Sequence, residues 1–165
     1  MEYNINNLSL DDNTFEVLPD GDYRFTVVSH ETGYSSSDKM PPNTITVTCN
    51  LEVPFMKDGE VAYAKVKNNL NIYSKAMFAI RQFTDCIGLT PEKGKAKIDL
   101  EQMDGRTGVC ALTTRESKSG NEYNNVEIFY APSKAPVKTM NDEAWNKSRS
   151  EDWQSMPGGL DLEFN

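Results

Sequence analysis

A chain of 165 residues and 18.6 kDa, 38% hydrophobic and 25% charged, suits one domain with tails and can bury a proper core. Its formal net charge of −8 speaks against a uniformly basic nucleic-acid binder, and three widely spaced cysteines (Cys49, Cys86, Cys110) argue against a disulfide framework or a zinc site. No apolar run reaches membrane-spanning length and the acidic start lacks the features of a signal peptide, so a soluble intracellular protein is expected.

Residues 1–22 form a polar, acidic N-terminal extension that ends in the turn signal Leu18-Pro19-Asp20-Gly21-Asp22. Aromatic and β-branched residues predict a first strand over 23–29. Residues 30–43, with Gly33, serines at 35–37 and Pro41-Pro42, read as a long polar loop. Residues 44–53 alternate, placing Ile45, Val47, Cys49, Leu51 and Val53 on one face, and Pro54 with the Lys57-Asp58-Gly59 turn closes this second strand.

The third strand, 61–73, separates into two surfaces. Ala62, Ala64, Val66, Leu70 and Ile72 make a core face with Asn68 as its polar intruder. Tyr63, Lys65, Lys67, Asn69, Asn71 and Tyr73 make a stripe of rings, ammonium groups and amides. Rings on which bases stack and cations that meet phosphates are the chemistry of a single-stranded nucleic-acid track. A solvated face of a half-buried strand gives the same pattern.

At Ser74 the period changes. Ser74 as a cap, then Met77, Ile80, Phe83, Thr84 and Ile87 on one side, predict a helix to about residue 87 that Gly88 terminates. Residues 90–106 are charged and irregular. A fourth strand over 107–117, a hairpin turn at Ser119-Gly120-Asn121 and a fifth strand over 122–131 follow, the last with Val126, Ile128 and Tyr130 on one side. Phe25, Phe83 and Tyr130 are expected in the core. Beyond Pro132 the composition is that of a linker, and 139–165 reads as an acidic, largely flexible C-terminal tail in which Trp145 and Trp153 mark a short helical or docking element.

The acidity belongs to the ends. Residues 1–22 hold six acids and no base, and 139–165 hold six acids against Lys147 and Arg149, which leaves 15 bases and 13 acids in a body spanning 23–138. A near-neutral body with a local basic stripe can meet phosphates, although so small an excess limits the strength and salt dependence of binding.

Three strands, a helix and two strands is the order of a mainly β, five-stranded OB-fold-like Greek-key barrel with its one helix between strands 3 and 4. Small helix-containing barrels and mixed α+β sheets share that order. An OB-fold binds oligonucleotides on its strand 2–3 face and through the loops after strands 1 and 4. Here those places carry Tyr63, Lys65, Lys67 and Tyr73 on the stripe, Tyr34 and Lys39 with His30 in the first loop, and Arg115, Lys118 and Tyr123 around the last hairpin.

The run Phe15-Glu16-Val17-Leu18-Pro19-Asp20-Gly21-Asp22-Tyr23, the Ser35-Ser36-Ser37-Asp38-Lys39 loop with its alternating strand, and the Ser117-Lys118-Ser119-Gly120-Asn121 hairpin with Asn125-Val126 resemble a family of small phage proteins. That family, long labelled uncharacterised, sits among replication and recombination genes and is regarded as single-stranded DNA-binding-like. The resemblance covers roughly residues 15–131 and implies single-stranded DNA binding in the cytoplasm of an infected bacterial host. Separately, the tip Leu160, Asp161, Leu162, Glu163 and Phe164 resembles the acidic, partly apolar tip of bacterial and phage single-stranded DNA-binding proteins. That likeness implies recruitment of replication or recombination proteins, Phe164 entering an apolar pocket while the acids meet Arg or Lys. This tip departs from the usual form by carrying one residue beyond the aromatic and only two acids; an ordinary solvated acidic tail reads the same way.

No catalytic constellation is evident. His30 is the only histidine, no phosphate-binding Gly-x-x-x-x-Gly-Lys-Ser/Thr run or Gly-x-Ser-x-Gly elbow occurs, and pairs such as Asp11-Asp12 or Asp99 with Glu101 fall in polar, irregular stretches. A non-enzymatic protein without metal or cofactor is expected, binding single-stranded DNA without strong sequence preference and with no membrane contact; a homo-oligomer stays open, because the strand edges that would pair are not visible in the sequence. The rival is a protein-interaction module, an acidic phage inhibitor that uses its two acidic ends as a nucleic-acid mimic on a host enzyme.

Overall fold

The computed structural model describes residues 17–35, 38–89 and 100–155. Five strands form one antiparallel sheet: β1 (Gly21–Tyr34), β2 (Ile45–Lys57), β3 (Glu60–Ile72), β4 (Thr107–Glu116) and β5 (Glu122–Phe129). Their order across the sheet is β3-β2-β1-β4-β5. Helix α1 (Met77–Cys86) lies between β3 and β4 in sequence, and α2 (Asp142–Ser155) follows β5.

The long first strand serves two partners in turn. Gly21 to Thr26 pair with β4, and Thr26 to Tyr34 pair with β2, with a register shift between Val27 and Ser29 that leaves Val28 over and 41% exposed. At this bulge the Val27 N–H donates to the Arg106 carbonyl, and its own carbonyl accepts from the Gly105 N–H. β3 and β5, the two sheet edges, come into contact without sharing a ladder, and α1 touches both. The core fills the enclosed face. Tyr23, Phe25 and Val27 of β1, Val47, Cys49, Leu51 and Val53 of β2, and Ala64, Val66 and Leu70 of β3 meet Ile80 and Phe83 of α1. Phe129 stacks edge-on to both Phe83 and Phe25, with centroids 4.9 and 5.7 Å away.

Several expectations are met closely. β3 alternates as read from Tyr63 to Leu70, and the β2–β3 connection is the two-residue turn Asp58-Gly59 with φ of 52° and 82°, the backbone a tight hairpin demands. Gly88 at φ 78° ends α1: its N–H donates to the Asp85 carbonyl and the Leu89 N–H to that of Thr84. All three cysteines are free and buried, and burial raises the thiols of Cys49 to about 12 and of Cys86 to about 11, so they behave as small apolar residues.

Other expectations need correction. β1 runs to Tyr34, so His30 and Tyr34 stand on a strand and not in a loop. β2 passes through Pro54 to Lys57; β1 has already left it beyond Glu52, so the missing proline N–H costs no rung on that side. Ser74 caps nothing: a short 3-10 turn, Ser74–Ala76, precedes α1, and no side chain caps either element. On β5 the register shifts opposite Ala111 and Leu112, which leaves Glu127 over. The alternation breaks there, so Phe129 is buried while Ile128 is 43% exposed. Tyr130 is half-buried rather than core, its hydroxyl donating to the Asp22 carboxylate at 2.8 Å. The segment 90–106 also hides a core residue, Met103, which is fully buried.

The largest difference lies after residue 138. The expected flexible tail begins instead with a segment tied to the sheet. The Met140 N–H donates to the Asp22 carbonyl. The Asn141 amide accepts from the Arg24 N–H at 2.9 Å and donates to the carbonyls of Arg24 and Pro54 at 3.0 and 2.8 Å. Ala144 and Ser148 are buried as α2 packs on β2 and β3. Hydrogen bonds to orphaned strand groups, which carry no hydrophobic periodicity, explain why a polar segment docks. The helical element expected around Trp145 and Trp153 is present, as Asp142–Ser155. No helix among the described residues is long and apolar enough to cross a membrane.

Candidate functional site

Because the Asp58-Gly59 turn fixes the β2–β3 register, each residue of the stripe from Tyr63 to Asn71 faces a known neighbour. Lys65 lies opposite Glu52, Lys67 opposite Asn50, Asn69 opposite Thr48 and Asn71 opposite Thr46. On β1 the same rows continue to Thr26, Ser29, Glu31 and Gly33. Tyr63, Lys65, Lys67 and Asn69 are exposed, Tyr63 by 39%. The outer face of β1–β3 is therefore a continuous polar surface with a ring and two cations along its β3 edge. Tyr73 follows the strand, half-buried, at the start of the 3-10 turn.

The middle of this face is tied together by side chains. Thr46 and Thr48 donate through Oγ1 to Oδ1 of Asn71 and Asn69, each at 2.8 Å. Asn50 Nδ2 donates to Ser29 Oγ at 2.9 Å and to Glu31 Oε1 at 3.3 Å. A cleft of about 390 Å³ opens at the Tyr34 end of the face, lined by Glu31, Tyr34, Thr46, Thr48, Asn69 and Asn71 among others. A second hollow, of about 510 Å³, lies beside Tyr63 and Lys65 near the β2–β3 turn.

The structure divides the expected site residues into two groups. Tyr63, Lys65 and Lys67 share the outer face of β3, and Tyr34, 75% exposed, rims the cleft at one end of β1. Lys39 is exposed in the connection to β2. Arg115, Lys118 and Tyr123 belong to the β4–β5 hairpin, which projects past Gly21 at the other end of β1. Arg115 and Tyr123 are cross-strand partners there. Arg115 is not an unopposed cation: its Nη2 meets Glu127 Oε1 at 2.6 Å, and this bond holds the Glu127 carboxyl below its ordinary range. His30 is held elsewhere, its Nδ1 2.8 Å from Asp104 Oδ1. The tip Leu160, Asp161, Leu162, Glu163 and Phe164 lies outside the described residues, as does most of the N-terminal extension.

Sequence reasoning missed the β2 and β1 contributions: Thr46, Thr48 and Asn50 on one strand, Glu31 on the other. The signal for the first three was present in the off-core alternation of β2. The signal for Glu31 was hidden by the bulge at Val28, which exchanges inward and outward positions along β1. Among the described residues, no three His, Cys, Asp or Glu side chains converge as a metal site requires. No protein-family model matches the chain, and no curated protein matches it.

Proposed function

We propose that this chain binds single-stranded DNA on the outer face of β1–β3, as an OB-type protein of phage replication or recombination, with its acidic tip recruiting partner proteins. The observation that carries the reading is the exposed β3 row, Tyr63, Lys65 and Lys67, continuous with a broad hydroxyl and amide surface. Ring faces accept any base and ammonium groups accept any phosphate, so binding of this kind discriminates little between sequences. The strand order supports the OB reading: β1 is shared by β2 and β4, β3 approaches β5, and α1 spans those two edges. The phage-like turn and hairpin motifs support it independently.

A fluorescence-anisotropy titration with a thirty-nucleotide strand tests the proposal. Measurable affinity at low salt that weakens as salt rises is expected; no binding at low salt overturns it. One observation favours the second reading, an acidic protein-interaction module. Arg115 is neutralised by Glu127, and Lys65 faces Glu52 across the ladder. Under that reading any DNA binding would be weak and nearly independent of salt.

A further inference from the structure

We propose that the cleft at the Tyr34 end of β1 is a base-edge pocket that favours cytosine over thymine within a bound strand. This rests on the single-stranded DNA reading above and names what one part of that face holds. Two cross-strand pairs fix the chemistry. Thr46 and Thr48 occupy the amide oxygens of Asn71 and Asn69, which leaves each carboxamide with its two N–H donors to offer. Glu31 shares a row with Thr48 and Asn69 and supplies the acceptor; Asn50 takes up only one of its oxygens, at 3.3 Å. Tyr34 lines the end of the cleft, where it pairs with Ile45.

Among the described residues, the lining of the cleft holds no Lys or Arg and does hold a carboxylate, which disfavours a phosphate there. A neutral group with both an amine and ring acceptors is what it suits. Strands spaced about 4.8 Å apart place the Glu31 and Asn69 Cα atoms roughly 10 Å from each other, with Thr48 between them in the row. Cytosine presents its exocyclic amine to a carboxylate and its ring acceptors to amide donors. Thymine would set a carbonyl against Glu31 and an N–H against the asparagine donors, leaving polar groups on both sides unmatched.

The test uses the full chain and thirty-nucleotide dC and dT strands at mildly alkaline pH, read by anisotropy. Tighter binding of dC, by about tenfold, is expected, the equivalent of one mismatched hydrogen-bonding edge. Glu31→Ala should abolish the preference, bringing the dC and dT affinities together. Equal affinity of the unaltered chain for dC and dT overturns the pocket and leaves DNA binding standing. A preference that survives both Glu31→Ala and Asn69→Ala also overturns it. Absence of binding to either strand at low salt overturns the functional reading, and the pocket with it.

Discussion

Where β1 and β2 part beyond Thr26 and Glu52, the Arg24 N–H and carbonyl have no strand on that side, and the Asn141 carboxamide takes both. Asn124 does the same for Leu18, accepting from its N–H and donating to its carbonyl at 2.9 Å each. Gln82 Oε1 accepts from the Phe129 N–H at the end of β5. Each amide replaces a backbone rung where the sheet runs out. Asn141→Ala would leave three backbone groups unmatched, the buried Pro54 carbonyl and the half-buried N–H and carbonyl of Arg24, and should lower stability by about 2–3 kcal/mol, read from the urea midpoint. Its neighbour Asp142 is held down at about 2, from 3.8, first by the Thr139 hydroxyl and N–H and then by Arg24. Since the folded value is the lower one, the stabilisation is complete above 3.8 and is lost as the pH falls toward 2. Trp145 fluorescence should change within that window, and the step should vanish in Asp142→Asn. On the proposed DNA face, Tyr63→Ala should weaken binding to every sequence by roughly 1–3 kcal/mol, while Lys65→Gln with Lys67→Gln should reduce the salt slope by about two ions.

Elements with a single period were legible. β3 alternates from Tyr63 to Leu70 after a two-residue turn, so its two faces could be assigned from the chain alone, but Ile72 at its end, expected on the core face, is 38% exposed. β1 and β5 each carry one residue too many, Val28 and Glu127, and a period-two pattern cannot show where an extra residue enters. The expectation therefore placed Ile128 inside and gave no role to Glu31. The β5 bulge also brings Glu127 to Arg115 and Thr113. Glu127→Gln should release the Arg115 charge. If the hairpin meets DNA, as Arg115, Lys118 and Tyr123 imply from the sequence, affinity at low salt should rise and the salt slope steepen by about one ion, measured by the same titration. α2 was only half legible. Its two tryptophans signalled a docking element, but what fastens its start is an asparagine and an aspartate, residues that read as linker until their partners on β1 are known.

For the whole molecule, the boundary expected at residue 138 is not a clean place to cut. Removing 139–165 strips Asn141 and Ala144 from the sheet as well as the acidic tip, so a gain in DNA affinity could not be credited to the tip. Removing 156–165 keeps α2. The shorter deletion should leave the melting temperature within a degree or two, whereas the longer one should lower it by about 5 °C or more, as loss of a buried hydrogen-bonded contact in a domain of this size implies.

The contact between β3 and β5 without a ladder has a consequence for how the molecule can change. β2 is stitched on both sides from Ile45 to Glu52, and Val27 sits where β1 passes from β4 to β2 with its N–H and carbonyl held by Arg106 and Gly105, so a larger side chain at Val27 or Leu51 has nowhere to go. Along β3 and β5 one flank is unstitched, and the sheet can widen there without giving up a backbone hydrogen bond. Tolerance to bulkier core residues should therefore be graded around the girth, lowest at Val27 and greatest at Ala64 and Val126. Evolutionary drift in core volume would collect along that one line.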